Sequence, residues 1–509
     1  MKATNMKQRL SMRGRVTSFG SVLLGVAALS AMCLVGCNKN DLEEYPGNGG
    51  GISPATGGAS GSGGTAGSAG SAGSSGSSGS AGSSGSSGSS GSAGSAGTPS
   101  PNDVVIQTYN VAMAGAFIPY VTERQAALPG AIDGLDADLI CIQEAWDESV
   151  KQQIKTAVQG KYQAVWFVHD DDSVVTDTND AQGNPVAPFS TPPCADAVTA
   201  LNDALDCVRD KCSTVPGDDA GYTTSTTCVS SMCASKALPL FSKPRCYGCL
   251  APSLPVEKIG DIRTRCNDPA IPNPLGFRGQ SGTMLLSKLP IVGTPEDHLI
   301  PAAWNRRNII GATVTAPSGK NVDVYCAHLT PIFRSAFYPY TGQHGANEDG
   351  SAATGAQAWE NEQYLQAKKL IDWAASRSGA NPAIIIGDMN AGKGAKTGSA
   401  HPYLVDEGAR TIDRFEAVYT HALAADYDPG CTFCPPEGDP NTDKDLTNPL
   451  VSSGERNVYI DHVFLKGIDA SKIKSSTRNF TEFDVSVEGG SKMIPHSDHF
   501  GYTTTVTIE

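Results

Sequence analysis

Basic side chains are scarce in this chain of 509 residues: 38 Lys and Arg stand against 52 Asp and Glu, which gives a formal net charge of −14. Residues 1–36 hold five of the basic residues and no acidic one, so their removal would lower the charge to −19. Because clustered Lys and Arg provide much of the affinity for nucleic acids, this shortage argues against an indiscriminate polyanion binder. A local basic groove on an acidic surface would still allow a nucleic acid to bind.

The N-terminal segment lacks an apolar run long enough to span a membrane. The run SVLLGVAALSAMCLVG has 16 residues, whereas a transmembrane helix needs about 20. Its length and its basic lead are typical of a secretory signal. The run ends in LVGC, which resembles the bacterial lipobox, whose Cys is acylated. We predict a lipoprotein signal peptide over residues 1–37 with lipidation at Cys37; an ordinary signal peptide with a chance Cys is the alternative.

Asn38 follows this Cys, where the usual inner-membrane retention signal has Asp. The sequence therefore predicts a lipid-anchored protein of the cell envelope, at the outer membrane or the cell surface. The lipid would be its contact with the membrane. We expect a monomer, since no protein partner is evident.

Residues 47–97 are nearly devoid of large apolar side chains and consist largely of Gly, Ser and Ala in repeats such as GSSGSSGSAG. This composition cannot bury enough surface to repay the entropy of ordering. We predict a disordered linker over residues 38–100, with a root-mean-square reach of roughly 40 Å. We predict that residues 101–509, which follow the linker, form one catalytic domain.

The chain has 14 cysteines, and most of them cluster. An even, dense set in an exported protein predicts a disulfide framework, here within an insertion at about 170–275. Two CxxC motifs, one of them formed by Cys431 and Cys434, have the spacing of zinc ligands, so a zinc site is the alternative. Cys141 and Cys326 lie in apolar strand-like runs and are expected to be small buried hydrophobes. The clustered cysteines are Cys194, Cys207, Cys212, Cys228, Cys233, Cys246, Cys249 and Cys266.

Apolar strand-like runs alternate with helical patterns along the rest of the chain, and nearly every run ends in a polar side chain. Unbroken apolar runs such as residues 384–386 predict buried strands covered by helices. Loops at strand ends are where a rigid scaffold carries an active site. Each polar residue alone fits a solvated strand end, but the combination indicates a site. Its members are Asn110, Glu144, His328, Asp388, Asn390, Asp461, Asp498 and His499.

Carboxylate and carboxamide oxygens in this set suit a hard cation such as Mg²⁺. Two imidazoles on separate strands suit a general base and a general acid on either side of a reacting phosphorus. No covalent nucleophile is evident. The set therefore predicts in-line attack of water on a phosphoester, with a metal neutralising the charge that develops on the phosphoryl oxygens.

The motifs TYN, QE, AHLT, IIIGDMN, YIDHVFL and HSDH occur in this order between about Val104 and the C-terminus. Together they resemble the endonuclease/exonuclease/phosphatase superfamily. The resemblance implies a four-layer α/β sandwich with two central mixed sheets flanked by helices. It also implies a divalent-metal-dependent phosphodiesterase whose expected ion is Mg²⁺, with Mn²⁺ or Ca²⁺ as alternatives.

The resemblance also implies a role for each matched residue on the metal and water side. Glu144 would be the principal metal ligand, assisted by Asn110. His499 would polarise the attacking water, and Asp461 would hold its ring. Asp498 would support metal binding or orientation.

On the opposite side, His328 would donate a proton to a phosphate oxygen or to the leaving group. Asp388 and Asn390 would position the water and the phosphorus.

His462 should point to the other face of its strand, because side chains alternate along a strand.

Three further predictions concern residues outside the matched set. His496 is expected in a loop without a catalytic role, and Arg306 with Arg307 is expected to be a solvated start of a strand. Surface loops are the expected position of His169, His344, His401 and His421.

The substrate is the least determined feature. The segment from CTFC to VFL and the run SGTMLLSKLPI are similar to neutral sphingomyelinases, which favours phospholipid head groups. A nuclease or phosphomonoesterase is the alternative, and a non-catalytic surface binding module is a third. The Cys-rich insertion would either shape substrate access or act as a stabilising surface module.

Overall fold

The computed structural model describes residues 100–509 of the chain, apart from short gaps. The predicted signal peptide, Cys37 and residues 38–99 of the predicted linker lie outside the described residues. In the described part, we find no helix that combines the length and apolarity needed to cross a membrane. The gaps are residues 116, 170–189, 213–227, 229–231, 254–257, 271–274, 335–336, 340–343, 437–445 and 453.

The strands form two six-stranded sheets and a small two-stranded ribbon. In chain order they are β1 (Asp103–Asn110), β2 (Leu139–Gln143), β3 (Ala164–Phe167), β4 (Met284–Ser287), β5 (Ile291–Ile300), β6 (Arg307–Thr315), β7 (Asn321–His328), β8 (Ala383–Asp388), β9 (Thr420–His421), β10 (Asp461–Lys466), β11 (Ile473–Asn479), β12 (Val485–Val487), β13 (Lys492–Ile494) and β14 (Gly501–Thr507).

The first sheet has the order β11-β14-β1-β2-β4-β3, and the second has the order β5-β6-β7-β8-β10-β9. Strands β1 and β2 run parallel, as do β7 and β8, whereas the other neighbours are antiparallel. Both sheets are therefore mixed, as predicted.

Eight α-helices are described. The long α7 and the short α8 pack on the second sheet, and α1 and α2 pack on the first. Their bounds are α1 (Val121–Asp133), α2 (Glu148–Val158), α3 (Val198–Lys211), α4 (Ala234–Ala237), α5 (Pro244–Leu250), α6 (Ile259–Arg265), α7 (Gly355–Ser378) and α8 (Ala409–Glu416).

The apolar residues sort into layers that explain this arrangement. Between the sheets, Ile106 and Leu139 of the first pack against Val324 and Ile384 of the second in one buried cluster. Alternate residues of the same strands face outward and meet the helices. Because both faces of each sheet are covered, the strands carry unbroken apolar runs. The predicted four-layer α/β sandwich is confirmed.

A disulfide crosses the interface between the sheets. It joins Cys141 of β2 to Cys326 of β7, whose Cα atoms are 5.3 Å apart. Both residues are buried, as predicted, but the sequence does not predict the bond between them. They lie 185 residues apart in the chain, so only the packing of one sheet on the other brings them together.

The Cys-rich insertion forms a separate small core from α3 to α6, and its disulfide framework is confirmed. Cys431 and Cys434 also bond to each other. Since these sulfurs are engaged in disulfides, the zinc alternative is not supported. The four bridges of the insertion are Cys194–Cys246, Cys207–Cys233, Cys212–Cys228 and Cys249–Cys266.

Candidate active site

The topology brings the predicted residues to one edge of the sandwich. His328 and Asp388 are partners in the parallel pair β7–β8. Asp388 is in turn the partner of Asp461, the first residue of the antiparallel neighbour β10. The ends of parallel strands and the start of an antiparallel neighbour therefore place these three side chains side by side.

The first sheet supplies the other members of the set at the same edge. Asn110 ends β1, and Glu144 directly follows β2. The Nδ2 group of Asn110 donates a hydrogen bond of 2.9 Å to Oδ2 of Asp388. This bond joins the two sheets at the edge where their polar residues meet.

The carboxylate of Asp388 contacts several other members of the site. Its Oδ1 accepts from the backbone N–H of Asn390 at 2.8 Å, while Oδ2 lies 3.4 Å from Nε2 of His328 and 3.9 Å from Nε2 of His499. Burial alone would raise the pKa of Asp388, but His328, His499 and Asn110 outweigh it and hold the pKa well below its usual value. Asp388 is therefore ionised at neutral pH.

His499 is paired with Asp461. Its Nδ1 lies 3.0 Å from Oδ2 of Asp461, and both side chains are buried. Burial alone would lower the pKa of His499, but the charges of Asp461, Asp388 and Asp498 outweigh it and raise the pKa to about 10. For Asp461, burial raises the pKa to about 6 despite His499. Without a metal, the pair is thus an imidazolium and a carboxylate at neutral pH.

His328 has the opposite environment. Its Nδ1 accepts a hydrogen bond from Nη1 of Arg307. Burial and this guanidinium lower its pKa, and the nearby carboxylates of Asp388 and Glu144 only partly compensate. His328 is therefore neutral, and since Nδ1 is an acceptor, its proton sits on Nε2.

Glu144 is held in an unusual backbone conformation. Its φ of 61° lies in the left-handed region, which costs energy for a residue with a Cβ. Gly282 makes room for it, because a Cβ there would come within 3.1 Å of the Glu144 backbone and 3.0 Å of Trp146. The Glu144 side chain is 21% exposed, and its Oε1 lies 3.9 Å from Nε2 of His328.

The oxygen ligands of the site suit a hard cation. One potential ligand atom each from Asp388, Asp461 and His499 lies within 4.8 Å of the others. Oδ1 of Asp461 is buried without a hydrogen-bond partner, although a buried carboxylate oxygen normally has one. Carboxylates of this kind, with Glu144 open to the cleft, fit the ligand preference of Mg²⁺.

Two predicted metal-side residues are also tied to protein groups. Oδ1 of Asn110 accepts from the backbone N–H of Ala112 at 2.9 Å. Oδ1 of Asp498 lies 3.4 Å from the hydroxyl of Ser497, and burial raises the pKa of Asp498. Their roles at a metal stay predictions.

The residues predicted to lie outside the set mostly do so. His462 binds the carbonyl of Ala391 through Nε2 and His421 through Nδ1, away from the acidic cluster. His496 pairs with Asp484 at 3.0 Å. The surface-loop position predicted for His344 and His421 is wrong. The His344 ring is fully buried, 2.8 Å from Glu362, and His421 lies in β9 with its side chain 13% exposed.

The prediction of a solvated Arg306–Arg307 pair is also wrong. Arg306 is buried and pairs with Asp297 at 3.2 Å, and Arg307 is 4% exposed beside His328. Arg124 was not singled out either, yet it is fully buried and donates to the carbonyls of Val111 and Ala112. No local pattern marks Arg124, because its partners lie in the loop after β1.

The sequence model of the Endonuclease/Exonuclease/phosphatase family matches residues 108–499. A search of curated proteins found no match. Among solved structures, the chain is similar to an endonuclease/exonuclease/phosphatase from Beutenbergia cavernae, at 14% identity and a TM-score of 0.38, covering 80% of this chain and 72% of that one. It is also similar to beta toxin from Staphylococcus aureus (13%, TM-score 0.41, covering 79% and 99%) and to a mannosyl-6-phosphatase from Bacteroides thetaiotaomicron (12%, 0.36, 79% and 98%).

Proposed function

Since the chain belongs to the Endonuclease/Exonuclease/phosphatase family, we propose that it is a divalent-metal-dependent hydrolase of phosphodiesters that uses in-line attack of water. One observation carries the proposal. The Nε2 atoms of two imidazoles, one charged and one neutral, converge on the same buried oxygen of Asp388, at 3.4 and 3.9 Å. A phosphoryl group and a water placed there would reach both rings.

His499 would act on the attacking water. Asp461 holds its Nδ1, so Nε2 faces the cleft beside Asp388. A charged ring cannot accept a proton, so this role requires the neutral ring, which a cation bound beside the carboxylates would favour by lowering the pKa of His499. As general base the neutral ring would take a proton from the water, and the Asp461 carboxylate would stabilise the imidazolium that results. His328, whose proton is on Nε2, would donate a hydrogen bond from Nε2 to a phosphoryl oxygen or to the leaving group.

Glu144, assisted by Asn110, would hold the cation, for which we propose Mg²⁺. When bound, a divalent cation neutralises charge on the phosphoryl oxygens and offsets the carboxylates around His499. Asp388 and Asn390 would orient the water and the phosphorus, and Asp498 would support this arrangement.

A phospholipid head group is the substrate class that we propose. The formal charge of −14 disfavours a polyanionic nucleic acid. A protein anchored by lipid at Cys37, as the sequence predicts, would also meet phospholipids at its own surface. Nucleic acids and phosphomonoesters are the competing substrates of the test.

The test is hydrolysis by the full chain, supplied with sphingomyelin, phosphatidylcholine, DNA or a phosphomonoester, with Mg²⁺ or with EDTA. Release of a phosphorylated head group only with Mg²⁺ is the expected result. His499→Ala should be inactive, while His462→Ala serves as the matched control, because its ring lies away from the acidic cluster. Hydrolysis of DNA alone would replace the lipid proposal, and no hydrolysis with Mg²⁺, Mn²⁺ or Ca²⁺ would refute the enzyme.

Lipid anchoring in the cell envelope is a separate proposal with its own test. Cells that express the chain are grown with a radiolabelled fatty acid, and the membranes are separated. Wild type should carry label and sediment with the envelope, whereas Cys37→Ser should carry none. Label on the variant would place the acylation elsewhere.

A further inference from the structure

Arg307 is a buried cation that the proposed mechanism does not use. It begins β6 and is 4% exposed. Burial lowers its pKa to about 10, against the opposing charges of Glu144, Asp388 and Glu362. Among the described residues, no carboxylate forms an ion pair with it, and its single side-chain hydrogen bond goes to Nδ1 of His328. A guanidinium that is buried at such cost for one bond to an imidazole points to a role at that ring.

The surroundings fix the guanidinium in place. Trp146 and Phe277 stack with ring centroids 4.6 Å apart and planes at 5°. The guanidinium carbon of Arg307 lies 5.5 Å from the centroid of the Trp146 ring. The centroid of the His328 ring lies 6.2 Å from that of Trp146. A cation over the face of Trp is attracted by the ring, so Trp146 stabilises the guanidinium beside the His328 ring.

The bond decides which nitrogen of His328 carries the proton. A guanidinium can only donate, so Nδ1 must accept, and the neutral ring then has its proton on Nε2. Nδ2 of Asn390 lies 3.0 Å from Nε2. Its two hydrogens have other acceptors, the carbonyl of Leu329 at 2.9 Å and Oδ2 of Asp388 at 3.4 Å, so this contact does not require Nε2 to accept. The acceptors near the Nε2 proton are Oδ2 of Asp388 at 3.4 Å and Oε1 of Glu144 at 3.9 Å.

We propose that Arg307 is a positioning residue that fixes His328 in the Nε2–H tautomer and aims this proton into the cleft between Glu144 and Asp388. The catalytic consequence rests on the proposed function, because only a phosphoester in this cleft would accept the hydrogen bond from Nε2. The tautomer itself does not depend on it. Lys should not replace Arg here, since a single ammonium lacks the planar, rigid fork of donors that a guanidinium presents.

The first test is nuclear magnetic resonance of the full chain labelled with ¹⁵N-histidine, without metal. Two-bond proton–nitrogen correlations distinguish the tautomers, and His328→Gln identifies the ring by the loss of its signals. In wild type we expect an unprotonated Nδ1 and a protonated Nε2. In Arg307→Gln and Arg307→Lys we expect this pattern to be lost or mixed. Arg306→Gln is the matched control, because this neighbour pairs with Asp297, and it should keep the wild-type pattern.

The second test separates positioning from substrate binding. For the substrate that the wild type hydrolyses, Arg307→Gln and Arg307→Lys should lower kcat by at least about tenfold and leave KM within about twofold, as expected for loss of an aligned proton donor. Arg306→Gln should keep kcat within about twofold. A higher KM with an unchanged kcat would mean that Arg307 binds substrate, which would overturn the proposal.

The proposal would also be overturned if wild-type His328 had its proton on Nδ1, or if the tautomer of His328 were unchanged in Arg307→Gln. Should the Gln variant not fold, the wild-type spectrum and Arg307→Lys still decide. If no substrate is hydrolysed while the tautomer depends on Arg307, the proposed function fails and the positioning role stands.

Discussion

The two imidazoles of the site are equally buried but differ in charge. His499 and His328 are 6% and 2% exposed, and burial lowers the pKa of each. His499 faces three carboxylates and its pKa rises to about 10, while His328 faces a guanidinium and its pKa falls. Burial thus makes an imidazole sensitive to its neighbours, and the charge of those neighbours decides its state. In this way one edge of the sandwich holds both a charged and a neutral imidazole.

The largest expected effects come from removing the groups on the carboxylate side. His499→Ala and Glu144→Ala should each reduce kcat by at least about a hundredfold, the usual size of an acid–base contribution. The rates are measured with the best substrate at saturating Mg²⁺. Retained activity in either purified, folded variant would contradict the assignment of that residue.

Asp461→Asn changes the charge beside His499 and keeps the shape. The Asn side chain can still accept from Nδ1, but it no longer stabilises the imidazolium. The pKa of His499 should therefore fall by at least about one unit, measured by histidine resonances against pH in the metal-free protein, and kcat should fall by about tenfold or more. An unchanged pKa would mean that another group sets the charge of this ring.

The sign of the pKa shift also predicts a pH dependence of stability. The folded pKa of His499, about 10, lies above its unfolded value of about 6.5. Its contribution is fully present below the unfolded pKa and is lost as the pH rises through the folded pKa. The metal-free wild type should lose stability to urea between about pH 7 and 10. His499→Gln should lose less, and equal losses would contradict the charged state.

The His328 side depends in addition on a covalent link. Cys141 and Cys326 join β2 to β7, the strands that lead into Glu144 and His328. Replacing both with Ala should lower the free energy of unfolding by about 2–4 kcal/mol, measured by urea titration. Because Arg307 and Trp146 still hold His328, we expect kcat to fall by less than about tenfold. A larger loss would mean that the disulfide, rather than Arg307, positions the ring.

His462→Gln should have the smallest effect on activity. The ring lies on the other face of β10, and burial with His421 lowers its pKa to about 3. We expect kcat within about twofold of wild type. Since the depressed pKa stabilises the folded protein above its unfolded pKa and this is lost as the pH falls, the variant should be less sensitive to acid between about pH 6.5 and 3.

The layers and most of the site could be predicted from the sequence because they follow local patterns. Unbroken apolar runs such as residues 384–386 mark buried strands, and a polar residue at the end of each marks a common edge. Features that depend on pairing across the fold could not be predicted. The Cys141–Cys326 bridge and the burial of Arg307 arise where distant segments meet. The charge of Arg307 predicts an exposed side chain. In the fold, its contacts with the Trp146 ring and the imidazole of His328 offset the cost of burying that charge.

The difference between the two imidazoles can be measured most directly by titrating both rings in one sample. The ¹⁵N-histidine spectrum of the metal-free protein is followed between pH 5 and 10, with His328→Gln and His499→Gln to identify the signals. We predict that at pH 8 His499 is still charged, whereas His328 is neutral with its proton on Nε2 and becomes charged only below the ordinary value of about 6.5. Two rings that titrate together near the ordinary value of about 6.5, or in the reverse order, would contradict this.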